Sequence, residues 1–246
     1  MKHELLCLSL LLACAGACAQ AAQEVPEADA ETPQVVEVGG VKNPELKSYK
    51  VMLKGVDAFE QHRKYAPAAP MKFKLVSATP GAQVDGVTLR IAGDNTSENV
   101  PIAADGTFVL PRIQAAIDDK ADLVTNKKKS LVRWRGDIHT PGVPANARRL
   151  GDLRMECEIG WAVNREEIPF LIRNGLSLAG GACHIKSVQL RYQAPLNATS
   201  VTLVSGDRRQ PLPFIPKYKN VFSPPVADTS WDDDALIEYE IPAAPM

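Results

Sequence analysis

Aromatic residues make up only 6% of this 246-residue chain, and no catalytic or nucleotide-binding signature interrupts it. There is no Gly-x-x-x-x-Gly-Lys-Ser/Thr loop to cradle phosphates and no Gly-x-Gly-x-x-Gly turn for a dinucleotide. Metalloprotease His-Glu-x-x-His and hydrolase Gly-x-Ser-x-Gly are missing too. Charge is nearly balanced, 28 basic against 29 acidic residues, so the whole molecule carries no field that would gather polyanions. Without a basic excess or a platform of stacking aromatics, nucleic acid is not an expected partner. No apolar run reaches the roughly 20 residues that a membrane-crossing helix needs, so no transmembrane helix is expected.

What is present begins with a leader. "MKHELLCLSLLLACAGACAQA" sets Lys2 before an apolar stretch from Leu5 to Ala15 and then small residues, the layout of a secretory signal over residues 1–21. Two processing routes stay open. Ala19-Gln20-Ala21 has the small-x-small form of ordinary signal cleavage. Ala15-Gly16-Ala17-Cys18 resembles a lipobox, in which Cys18 would take a lipid, although Leu is usual where Ala15 stands. The expectation is an exported protein, periplasmic or extracellular, with a membrane tether only if Cys18 is lipidated.

Of five cysteines, Cys7, Cys14 and Cys18 fall in the leader, which leaves Cys157 and Cys183 in the body. A pair in an oxidising compartment predicts a disulfide. The rival readings are weaker. In "GGACHIK" His184 follows Cys183 directly, and neighbours on a strand point to opposite faces, so it is badly placed to deprotonate the thiol. A zinc site would want Cys-x₂₋₄-Cys or His-x₃₋₅-His spacing around these residues and His139, which the chain does not offer. No metal and no cofactor is expected.

Residues 22–42 are acidic, with two prolines and no apolar period, and predict a disordered linker. Leu46, Tyr49, Leu53, Val56 and Phe59 then follow helical spacing; a strand through Tyr49, Val51 and Leu53 before a helix from Val56 is the alternative. From Met71 the texture is β: "MKFKLVSA" alternates, and three short strands with turns at Gly93-Asp94-Asn95 and Asp105-Gly106 follow. "DLVTNKKKSLVRWRGDIHT" predicts a hairpin with Arg133 and Arg135 on one face. "PGVPANARR" predicts a boundary near residues 141–147.

In "DLRMECEIGWAV", Leu153, Met155, Cys157, Ile159, Trp161 and Val163 alternate without a break, which predicts a strand. A helix through Ile168–Leu178 follows, stopped by Gly180-Gly181, with a strand in "CHIKSVQLRY". A hairpin at Gly206-Asp207 and an acidic edge strand in "SWDDDALIEYEIP" complete the chain. The sum is a mainly β, α+β architecture of sandwich-like antiparallel sheets with a few helices. It divides into halves at 43–145 and 146–246, with one continuous domain as the alternative.

"GVTLRI…DGTFVLP", within residues 84–111, is similar to the carboxypeptidase-regulatory-like (transthyretin-like) modules, where a Gly-Val strand start and an Asp-Gly-x-Phe hairpin recur. The resemblance implies a β-sandwich for that part of the chain.

The expected function is a non-enzymatic binding or scaffolding role towards an envelope component. Two alternatives remain. One is an exported hydrolase assembled from His139, Glu156, Glu158 and His184. The other is a polyanion or carbohydrate binder through Lys127, Lys128, Lys129, Arg133 and Arg135, or through Trp231 as an exposed aromatic. The bland reading of that cluster is a solvated strand tip that discourages edge pairing. Asp232-Asp233-Asp234 lacks the spacing of a calcium loop and predicts a solvated acidic stretch.

Overall fold

The computed structural model describes residues 41–79, 82 and 84–242, and these include one compact unit from residue 41 onward. The leader, the lipidation candidate Cys18 and all but the last two residues of the linker lie outside the described residues.

The chain enters as strand β1 (Pro44–Ser48) and passes directly into helix α1 (Tyr49–Gln61). Strands β2 (Phe73–Ser77), β3 (Leu89–Ala92), β4 (Ser97–Asn99) and β5 (Thr107–Phe108) follow, then the short helix α2 (Gln114–Asp118). Next come β6 (Asp122–Lys128), β7 (Val132–Gly136), β8 (Ala147–Arg149) and helix α3 (Leu150–Asn164). Helix α4 (Phe170–Leu178), β9 (Tyr192–Gln193), β10 (Ser200–Ser205), β11 (Arg208–Pro211), β12 (Val221–Phe222) and β13 (Leu236–Glu240) complete it. The sheets are antiparallel, in orders β1-β6-β3-β4, β5-β2-β7 and β11-β10-β13-β8, with β9 and β12 as a small ribbon. The fold is α+β with sandwich-like sheets.

The spacing that predicted a helix from Leu46 holds from Tyr49; Leu46 itself sits in β1. Gly55, a weak helix former, stands where α1 crosses α3: a Cβ there would lie 2.7 Å from Val163 and 3.0 Å from the Phe73 ring. Its lack of a side chain lets the two helices meet.

The stretch 152–163 is the main correction. It is not a strand but the body of α3. An alternation of period two is also two interleaved series of period four, and on a helix each such series makes its own stripe. Leu153, Cys157 and Trp161 face one hydrophobic cluster, with Leu203, Phe222, Trp231 and Ile237. Met155, Ile159 and Val163 face the other, with Phe59, Phe73, Leu123 and Trp134. A helix wedged between two cores has two apolar stripes, and two stripes mimic a half-buried strand.

Other segments depart from expectation for similar reasons. β6 and β7 are consecutive but join different sheets: β6 pairs with β1 and β3, β7 with β2. The chain crosses between layers at Lys129–Leu131, where Ser130 takes a positive φ of 69° and its N–H donates to Glu45. β13 is an inner strand between β10 and β8 rather than an edge, because Ile237 and Tyr239 fill the second core. The strand expected at Cys183 is a 3-10 turn, Ala182–His184, after Gly180 and Gly181 with φ of 84° and 109° stop α4.

Candidate ligand-binding groove

Cys157 and Cys183 are joined by a disulfide, with Cα atoms 5.8 Å apart. It pins the turn Ala182–His184 to the middle of α3, and the pin shapes one end of an open groove of about 800 Å³. One wall is β7 with Lys129 and Ser130 before it. A second is Glu45, Leu46 and Lys47 of β1, and a third is the segment 189–192. The floor is α3, through Cys157, Gly160 and Trp161. A Cβ built on Gly160 would meet nothing within 4 Å, which leaves the floor open at its centre.

The charges in this groove are unevenly satisfied. Its acids are engaged: Glu45 accepts from the Ser130 N–H and the Trp134 indole, and Glu167 pairs with Lys47. Glu156 accepts from Arg148 Nη2 at 2.7 Å and from the Ile138 N–H at 2.9 Å. Burial pushes the Glu156 carboxyl up, against the pull of Arg148 and the Ile138 N–H. Lys129, Arg133, Arg135 and Arg191 form no ion pair among the described residues. Arg135 instead reaches across the groove to the Arg191 carbonyl at 3.3 Å, and Arg191 donates to the Tyr218 hydroxyl at 3.0 Å.

The basic cluster read from the sequence is therefore divided. Lys129, Arg133 and Arg135 stand at the groove, with Arg133 and Arg135 exposed on one face of β7. Lys127 turns away and donates to the Asp85 carbonyl at 2.6 Å, and Lys128 ends β6 opposite Pro44. Arg191, supplied by a segment 56 residues further along the chain from Arg135, had no local signal to announce it.

Trp231 is not an exposed aromatic. It is 2% exposed in the second core, its ring covered by the Arg208 guanidinium 3.6 Å from the centroid. The neighbouring acids hold it there: Asp233 pairs with the buried Arg154 of α3 and Asp234 with Arg149 of β8, so the acidic run is tied to the body rather than solvated throughout. A carbohydrate platform at Trp231 is ruled out by this burial.

The four residues of the hydrolase alternative form two separate pairs. Glu158 and His184 Nε2 lie 3.0 Å apart, and His62 approaches the same carboxylate at 3.7 Å. His139 sits with Asp137 and Glu156, their donor atoms all within 4.8 Å. Glu156 and Glu158 are two positions apart on a helix, about 200° around its axis, so the pairs occupy opposite sides of α3. Asp137, His139 and Glu156 are the described residues whose spacing suits a divalent ion, with Arg148 competing for Glu156. The earlier zinc candidates Cys157 and Cys183 have no free thiolate to offer. His184, which lacked a partner in the sequence, has one in Glu158, 26 residues away.

Helix α4 buries none of its residues. Leu171 is 83% and Leu178 92% exposed, with Phe170 and Ile172 also outward.

Comparison with protein-family models, with curated proteins and with solved structures gives no match for this chain.

Proposed function

We propose that the protein is an exported, non-enzymatic binding module of the cell envelope that holds an anionic partner in the groove beside β7. The observation that carries this reading is the set of four cations around one groove without an ion-pair partner among the described residues, while the acids beside them are engaged. All four are exposed, so they meet a ligand without first being desolvated, and planar guanidinium groups suit carboxylate and phosphate geometry. The leader in the sequence and the disulfide between the two body cysteines support an oxidising compartment.

Titration with inorganic polyphosphate and with poly-L-glutamate tests the site. Binding should weaken as salt rises and be lost when Arg133 and Arg135 are both changed to Glu, with the melting temperature unchanged because both side chains are exposed. If neither polymer binds at low salt, the groove is not an anion site. Intact mass of the protein from its source tests export: the leader, or everything before a lipidated Cys18, should be missing.

A further inference from the structure

β7 lies at the edge of its sheet, in the order β5-β2-β7. Its register to β2 runs from Phe73 opposite Gly136 to Ser77 opposite Val132. The flanking bonds are Asp137 N–H to Lys72 O and Ala78 N–H to Leu131 O, each 2.9 Å. They fix the odd-numbered residues as those bonded to β2. In an antiparallel ladder the alternate residues turn their N–H and C=O groups the other way. Val132, Trp134 and Gly136 thus present their backbone groups away from β2, and among the described residues no backbone or side-chain group bonds to them. All five residues of β7 line the groove. Arg133 and Arg135 project on the exposed face of the same strand.

An open strand edge, a row of cations on its outer face and an apolar floor together specify a ligand. Resting on the anion-binding reading above, we infer that the partner is an acidic polypeptide segment that adds to the sheet as an antiparallel strand along β7. Backbone hydrogen bonds to an exposed edge supply affinity, and alternate side chains supply selectivity. Residues opposite Arg133 and Arg135 share their face and carry carboxylates; the outward carboxylate replaces the Arg191 carbonyl as acceptor for Arg135. Residues opposite Val132, Trp134 and Gly136 point inward, over Gly160 and Trp161 of α3, and are apolar. Five residues of β7 define a footprint about 17 Å long, at about 3.4 Å per residue. The required segment is short and alternates acid with apolar.

The test uses the purified, oxidised protein and a blocked hexapeptide alternating glutamate with valine. In antiparallel pairing the valine amides bond to the open edge, while the glutamate amides point away. N-methylation of the valine amides should weaken binding by about tenfold or more, and N-methylation of the glutamate amides by less than about threefold. The amides of Trp134 and Gly136 should gain hydrogen-exchange protection of about tenfold or more with the parent peptide. Changing Arg133 and Arg135 to Gln should weaken it by about tenfold.

Four results would overturn the inference. Equal binding of both methylated peptides, or no added protection at Trp134 and Gly136, leaves an anion site without strand addition, and the proposed function survives. An acidic polysaccharide binding where the peptide does not sinks the polypeptide assignment alone. If neither the peptide nor polyphosphate binds, both readings fall together.

Discussion

Cutting the bond between Cys157 and Cys183 should cost this protein global stability rather than merely loosen a loop. The two sulfurs are 26 positions apart. In the chain-entropy treatment a closed loop of that length removes about 12 cal/mol/K from the unfolded chain, or about 3.5 kcal/mol at 25 °C. That full effect applies only if the native ends stay together without the bond. Both ends are anchored independently: Cys157 lies inside α3, and both cysteines are buried in the second core. The intervening chain contributes little of its own, since α4 buries nothing. For a body of this size about 3.5 kcal/mol corresponds to a melting temperature lower by roughly 7–14 °C. Reduction with a phosphine keeps both sulfurs in place and isolates the cross-link, so it is the cleaner perturbation. The double Cys157→Ala, Cys183→Ala variant should lose about 1 kcal/mol more, for the small cavities it leaves. Calorimetry with and without reductant measures the shift, and hydrogen exchange locates it. A shift below about 2 °C would refute the reasoning, as would faster exchange confined to residues 165–182 with the two cores unchanged.

Replacing Gly160 with Leu should raise stability by about 0.8 kcal/mol, from helix propensity alone, while filling the groove floor and abolishing polyphosphate binding. Urea unfolding and titration read the two effects separately. Arg154 is buried on α3 and donates to the carbonyls of Val226, Asp228 and Trp231 besides its pair with Asp233, so Arg154→Ala should cost about 3–5 kcal/mol. Chemical denaturation checks that value, and Lys at the same position should recover only part of it, having no planar fork. Burial pushes the Tyr239 phenol from 10.0 up to about 12. A raised pKa means the native state holds the proton longer, so stability present below pH 10 is lost as pH rises through about 12, by up to about 2.7 kcal/mol. Tyr239→Phe, which keeps the edge-on contact with Phe222, should flatten the alkaline limb of a stability-against-pH curve.

Turn chemistry was legible in local sequence, and so was the alternation of β2, though not that of residues 152–163. The hairpin at Gly206-Asp207, with Gly206 at φ of 56°, and the β3–β4 hairpin around Gly93 stand where the residues placed them. So was the helix ending at Gly180-Gly181, because positive φ at those positions is a property of glycine itself. The candidate site was half legible. Arg133 and Arg135 were visible as a pair on one strand face, but the wall they confront was not. Gln189, Leu190 and Arg191 lie in the stretch that the sequence reads as a strand but that forms no regular element before β9, and the disulfide and the second core hold it near.

The disulfide between Cys157 and Cys183 was legible in the sequence, as the pairing of the two cysteines that remain after the expected leader if the compartment is oxidising. The state of residues 152–163 was not. Alternation at period two satisfies a strand with one buried face and a helix with two, and the residues themselves are neutral between them. Only the arrival of α1 with the first core on one side, and of β10, β12 and β13 with the second core on the other, decides for the helix. The same decision turns Glu156 and Glu158 to opposite sides, hands His184 to Glu158, and lays Gly160 along the floor of a groove. Local sequence fixes what a residue can tolerate. What it faces is settled by which layers close around it.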